Sequence, residues 1–388
     1  MRVLLRRAFS GAGLLLSAAV ATASPVVLDT EQKAAAGVET ALFKAELMRS
    51  MNAVPDAVTN YVDFTLRTIN AATTPAAVIS TPGGITINCN ISGTLKVKMA
   101  DTLPRVLHVR WNDCTVRVFG VERRLSGPMA ITLPADTFRP DKLLAVRLGN
   151  ASGEFLLQHR SETPEQNSDT TEAFDIALRG DLAMGSGTSS FVMNGYYDQR
   201  SLVEFPLGTP PAFFDYKVTA ERLTVVRPRT FNDAGTLDDD DTRMVSGSMS
   251  FEQTQPGFGT WTDAYRFHDY RVHRITDFDA FTQTLTVDGR IEIARGLFGG
   301  VGCSDGLYAF RTRVPMFSSL EDPTRLESGD LVVNGSVVAR FYSAANTPPS
   351  LATPVNGMLV NMRVRDVGTF NYDAANWFEA LQPTGQCQ

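Results

Sequence analysis

Apolar and polar positions alternate along most of this chain. Ile85, Ile87, Cys89, Ile91, Leu95, Val97 and Met99 are interleaved with Thr86, Asn88, Asn90, Ser92, Thr94, Lys96 and Lys98. A period of two over residues 85–99 predicts one long strand with a buried face and a wet face. Phe174, Ile176, Leu178, Leu182 and Met184 alternate in the same way with Asp175, Ala177, Arg179, Asp181 and Ala183. The pattern returns around 105–111, 125–133, 151–157, 191–197, 245–251, 285–293 and 331–341. Strands buried on both faces would read as unbroken apolar runs, and no crossover helices separate these, so the sheet is antiparallel.

The period changes at both ends. Ala34, Val38, Leu42, Ala45 and Met48 recur at helical steps over 31–51, and Pro55-Asp56 opens a second helix to about Asn70 with Val58, Val62, Leu66 and Ile69 on one stripe. Asp373 is placed to cap a short C-terminal helix carrying Trp377, Phe378 and Leu381. The fold class is mainly β: a large, strongly curved antiparallel sheet, open or partly closed like a barrel, with N-terminal helices and a short C-terminal helix.

Nine glycines fall inside this alternation on the apolar parity: Gly93, Gly127, Gly153, Gly180, Gly195, Gly247, Gly289, Gly335 and Gly357. Glycine within a strand costs roughly 0.5–1 kcal/mol against alanine, so nine of them need a geometric reason. A missing inner side chain lets a strand bend or lets another element approach closely. The expectation is a concave apolar face packed around something. The N-terminal helices are the first candidate for that role, and a bound lipid or other apolar ligand is the second. Their spacing is irregular, which excludes a solenoid of fixed period.

The N-terminus reads as an export signal. Arg2, Arg6 and Arg7 precede an uncharged apolar run from Gly11 to Val20, and Ala21-Thr22-Ala23 offers a small-x-small cleavage site. Residues 1–23 are thus expected to be removed, leaving a periplasmic or secreted product. The run is too short to span a bilayer, and no later segment predicts a transmembrane helix. The expected organisation is a signal peptide (1–23), a helical segment (24–75) and a β domain (76–388), with a subdivision near the proline-rich stretch 206–212.

Composition removes further classes. Of 388 residues, 36 are Lys or Arg and 42 are Asp or Glu, a net charge of −6 that argues against a nucleic-acid surface. Four cysteines in an exported chain suggest two disulfides. Cys89 and Cys114 lie on successive strands, so they are paired, which leaves Cys303 with Cys387.

Chemical motifs are few. Gly302-Cys303-Ser304-Asp305-Gly306 matches a nucleophile elbow in letters, but His108, His159, His268 and His273 all precede the serine, and a strand rather than a helix follows it. His268 and His273 are five apart, on opposite faces of a regular strand, while His108 takes the polar parity. The aromatic stretch from Trp261 to Phe281 reads as core lining. Asp238, Asp239, Asp240 and Asp241 form a dense acidic run, read as a solvated hairpin loop with calcium as the alternative occupant. No catalytic residue and no cofactor is predicted. Three functions remain open: a non-enzymatic binding or structural protein, a carboxylate-dependent hydrolase acting for example on glycans, and an outer-membrane β-barrel.

Overall fold

A computed structural model describes residues 24–100, 104–118, 121–134, 137–162, 167–204, 212–232, 234–255, 259–294, 305–322, 325–354 and 357–373. The signal segment 1–23, the stretch 206–211, Cys303, Ser304, Cys387 and the expected C-terminal helix lie outside these residues.

The chain opens with α1 (Glu31–Ala72) and α2 (Pro75–Ser80). Seventeen strands follow: β1 (Ile85–Asn88), β2 (Ser92–Met99), β3 (Arg105–Val118), β4 (Val121–Leu133), β5 (Lys142–Leu148), β6 (Phe155–Glu162), β7 (Asn167–Ala183), β8 (Gly187–Glu204), β9 (Ala212–Phe231), β10 (Leu237–Gln255), β11 (Gly259–Asp277), β12 (Thr282–Ala294), β13 (Gly306–Ser319), β14 (Leu326–Val333), β15 (Val337–Tyr342), β16 (Leu359–Val364) and β17 (Gly368–Asp373). All belong to one sheet. Every ladder is antiparallel, and strands pair in chain order with one exception. β5 and β6 lie end to end between β4 and β7, as one strand position interrupted by residues 149–154.

Two expectations of continuity are corrected. Residues 85–99 are a hairpin rather than one strand: β1 folds back on β2, with Ile85 opposite Val97, and Cys89 and Ile91 sit at the turn. Residues 331–341 are likewise two strands, joined by a turn at 334–336. Alternation survives a tight turn when parity is kept on both sides, so periodicity alone cannot find it. The reverse holds for the helices. α1 runs unbroken through Pro55 for 42 residues, capped by the Thr30 side chain, which accepts from the Lys33 N–H. Ala34, Val38 and Ala41 share a buried stripe with Val54, Val58, Val62, Leu66 and Ile69. Packing along that stripe holds the helix together where one proline removes a single hydrogen bond.

α1 crosses the strands. From its C-terminal end backward, Phe64 stacks on Trp111 of β3, Tyr61 meets Phe155 of β6 and Phe174 of β7, and Asp56 binds Arg227 of β9. Further back, Asn52 reaches Thr242 of β10, Gly37 faces Val333 of β14, and Glu31 accepts from Tyr372 of β17. Helix number falls steadily as strand number rises. The sheet is therefore a trough with α1 lying along its floor, and at ~1.5 Å per residue the helix extends about 60 Å. The concave apolar face is packed around the N-terminal helix.

The glycines explain the fold of the trough. Gly93, Gly127, Gly180, Gly195, Gly247 and Gly289 lie within strands, all at positive φ. A Cβ on any of them would collide with a backbone carbonyl of the adjoining chain, in a neighbouring strand or, for Gly127, in the 149–154 interruption: Asp113, Glu154, Ser190, Asp175, Arg222 and Asp269 respectively. The element approaching closely is thus the neighbouring strand and not the helix. Five of the six (all but Gly180) line up from β2 to β12, facing on alternate strands a bulged residue at positive φ (Asp113, Arg222, Asp269) or the 149–154 interruption. Bulges bend a strand and increase its twist. A row of them at matching heights makes one crease across the sheet, parallel to α1. Gly127, Gly247 and Gly289 also stand directly opposite Trp111, Phe267 and Phe310, aromatic cover for backbone that lacks a side chain. The other three glycines belong elsewhere: Gly153 lies in the interruption, Gly335 in a turn and Gly357 before β16.

Cys89 and Cys114 form a disulfide, their Cα atoms 5.6 Å apart and 25 residues apart in sequence. Cys89 is at the β1–β2 turn, and Cys114 is next to the bulge in the middle of β3 rather than at a strand end. Closing that loop constrains the unfolded chain by roughly 3 kcal/mol in the chain-entropy model. A Cys89→Ala/Cys114→Ala variant is expected to lose about that much in urea denaturation; equal midpoints would show that the β1 edge contributes nothing.

Candidate functional site

The trough is apolar along most of its floor, but over β9–β11 its lining becomes charged. Parity explains this. Leu223 and Val225 point inward, and the same alternation carries Arg227 and Arg229 inward after them. On β10, Met244 and Thr242 point inward, and so do Asp240 and Asp238.

Arg227 lies at the centre, its side chain 7% exposed. Its Nη1 and Nη2 donate to Asp56 at 2.6 and 3.2 Å, and its Nε and Nη2 donate to Asp240 at 3.1 and 2.5 Å. Arg229 donates from Nη1 to Asp56 at 2.9 Å and from Nε and Nη2 to Asp238 at 3.2 and 3.1 Å. Thr242 donates to Asp240 at 2.8 Å and accepts from Asn52 at 2.9 Å. Two arginines, three aspartates, a threonine and an asparagine thus tie α1 to two strands. A cavity of about 230 Å³ adjoins them, lined also by Val272, Arg274, Thr276 and Phe278.

Burial opposes charge at this site, yet the pairing prevails. Desolvation alone would raise the Asp240 carboxyl, but hydrogen bonds from Arg227 and its charge hold the pKa below the ordinary value. Desolvation likewise works against the Arg227 guanidinium, and Asp240 and Asp56 more than restore it. A carboxyl general acid needs a raised pKa. Asp240 is shifted the other way, as the partner in an ion pair is.

A second polar group joins α1 to β7, β8 and the start of β9. Tyr61 donates to Glu172 at 2.5 Å; Tyr197 and Tyr216 both donate to Gln199 at 2.7 Å; and Gln199 donates to Ser201 at 3.1 Å. Burial, then the Glu172 charge, push the Tyr61 hydroxyl well above its usual range, so it stays a neutral donor. Nearby, burial lowers the His159 pKa and favours the neutral imidazole.

The acidic run departs from its expected place. Asp238–Asp241 are in strand β10 and not in a loop, so they alternate across the sheet. Asp238 and Asp240 face the trough arginines, while on the outer face Asp239 meets His273 at 2.7 Å and Asp241 meets Arg271 at 2.6 Å. Two and two on opposite faces, the four carboxylates do not converge on a single ion. A chelator is expected to leave the melting temperature unchanged; a drop that Asp→Asn changes at 238–241 abolish would reinstate calcium. His268 and His273 share the outer face, because the bulge at Asp269 adds one residue between them and reverses the parity. Tyr265, Phe267 and Tyr270 are buried core lining, whereas Phe278 and Phe281 are about half exposed at the following turn. His108 is exposed on the outer face.

No family model, no curated protein and no solved structure matches the chain. The arginine pair and Asp56 escaped the sequence reading, though Arg227 and Arg229 stand on the apolar parity of Leu223 and Val225. A charge on an apolar parity is the signal by which the two arginines are found.

Proposed function

We propose that this chain is an exported, non-enzymatic binding or structural protein, built as a rigid β trough clasped around its own N-terminal helix. One observation carries the reading: arginines on the trough lining hold α1, with Asp56 shared between Arg227 and Arg229. The outer face supports it too. Arg243–Asp269, Arg271–Asp241 and Arg266–Glu292 lie on the outward side of β10–β12, where a lipid-facing belt would be apolar. Export rests on the signal-like residues 1–23, and the Cys89–Cys114 bridge fits an oxidising compartment.

A second reading has its own support. The trough floor is lined continuously with buried apolar side chains, among them Leu95, Val109, Phe174, Val225, Ile291 and Phe341. A lipid or other apolar ligand seated there would share the trough with α1. Fractionation, native mass spectrometry after mild extraction and a glycan-hydrolysis screen together test these readings. The expected result is a detergent-independent extracytoplasmic protein without turnover. A co-purifying lipid would favour the second reading, and turnover of a glycan or a requirement for detergent would overturn both.

A further inference from the structure

The outer face of β1–β5 carries a basic dish. In the ladder, Thr86, Lys96, Arg110 and Pro128 stand side by side on β1 to β4, and Lys98, His108, Ala130 and Arg147 stand side by side on β2 to β5. The small residues Pro128 and Ala130 form the floor, and Lys96, Lys98, His108 and Arg110 form one wall. Arg147, Gly149 and Asn150 close the other side around a cavity of about 500 Å³.

The charges are arranged against the stability of the sheet. Lys96 is directly opposite Arg110, and Lys98 is two residues further along the same strand. Like charges opposite each other across a ladder are destabilising. Several other cations of the outer face are matched: Arg271 by Asp241, Arg124 by Asp113, and Arg147 itself by Asp175. Among the described residues, Lys96, Lys98 and Arg110 have no carboxylate partner. The chain as a whole is acidic, at −6, so this concentration of positive charge does not follow from composition. A concave floor of small residues under three unmatched cations is the arrangement that receives oxyanions, with arginine offering a planar fork and lysine a point charge.

We propose that this dish binds a compact ligand carrying two or more phosphate-type oxyanions, with Lys96, Lys98 and Arg110 as the principal contacts. The cavity spans four strands at ~4.8 Å spacing, room for two such groups and more than one phosphate requires. The same chemistry occurs in a soluble diphosphate and in an anionic lipid headgroup. The proposal rests on the binding reading above and names the ligand class for it.

The test uses the mature chain and two probes: inorganic pyrophosphate by titration calorimetry at low ionic strength, and phosphatidylglycerol vesicles by co-sedimentation. Wild type is compared with Lys96→Ala/Arg110→Ala and with Arg313→Ala, an exposed cation on β13 away from the dish. The double variant is expected to bind pyrophosphate at least tenfold more weakly, with a melting temperature no lower than wild type because a like-charge pair is relieved. Arg313→Ala is expected to bind as wild type does. Vesicle binding that pyrophosphate displaces and the double variant lacks would support the dish with a headgroup as source. Absence of both kinds of binding, or equal binding by wild type and double variant, would overturn the proposal. Glycan turnover by a protein that still binds pyrophosphate through the dish would sink the non-enzymatic reading and leave the dish standing.

Discussion

Replacing Arg227 with methionine is expected to destabilise the fold by about 3–5 kcal/mol, the usual consequence of breaking a buried ion pair from one side. The guanidinium is almost fully buried and serves both Asp56 on α1 and Asp240 on β10. Its loss leaves the Asp240 carboxylate with only the Thr242 hydroxyl and the Arg229 charge to oppose desolvation. Removing both partners differs in kind: Arg227→Met/Asp240→Leu leaves Arg229 with Asp56 and Asp238, and most of the loss should return. The Asp240 pKa lies below its ordinary value in the folded protein. Its contribution is therefore complete above the ordinary carboxylate range, near ~3.9, and disappears as pH falls through the lowered value. In Arg227→Met the stranded carboxyl is raised instead, so protonation favours the folded variant. Urea denaturation at pH 7 and near pH 4 should show the gap between wild type and variant narrowing in acid. A gap that stays constant would mean that Asp240 does not depend on Arg227.

Gly289→Ala is expected to cost about as much, roughly 3–5 kcal/mol, from a strained backbone and an overpacked contact together. Gly289 has φ +97, and a Cβ there would run into the Asp269 carbonyl, which the bulge on β11 drives toward it. Backbone cannot yield as a side-chain tip can. Gly335, at φ +65 in an open turn with nothing within 4 Å, is the control; alanine there should cost only about 1–2 kcal/mol of left-handed strain. If thermal or urea unfolding ranked the two variants equally, the glycines would matter only through their own torsions, and the crease would lose its physical basis.

The strand period and the antiparallel pairing were legible because one face of each strand is buried and the other wet. The in-strand glycines were legible as a cost in need of a reason, but the reason was not. A glycine at 289 and its bulge at 269 meet only through the ladder, and no local window contains both. Bulges also defeat parity counting, as His268 and His273 show. Turns that preserve parity concealed the β1–β2 and β14–β15 hairpins. A proline at 55 looked like a helix start because a local rule was applied without the tertiary stripe that overrides it. Asp238–Asp241 read as a loop because four acids rarely suit a strand, and they suit this one because Arg227, Arg229, Arg271 and His273 stand on the flanking strands. The basic dish was hidden for the same reason: Lys96 and Arg110 become neighbours only once β2 and β3 are in register.

The central claim is that α1 is the structural occupant of the trough, pinned by buried charges rather than laid loosely against it. Native-state hydrogen exchange measures this directly, because α1 and the central strands report separately in one experiment. Amides of residues 54–69 should exchange as slowly as those at the centres of β7, β8 and β9, opening only with global unfolding. Exchange of 54–69 many orders of magnitude faster than the strands, at rates approaching those of a free helix, would contradict it.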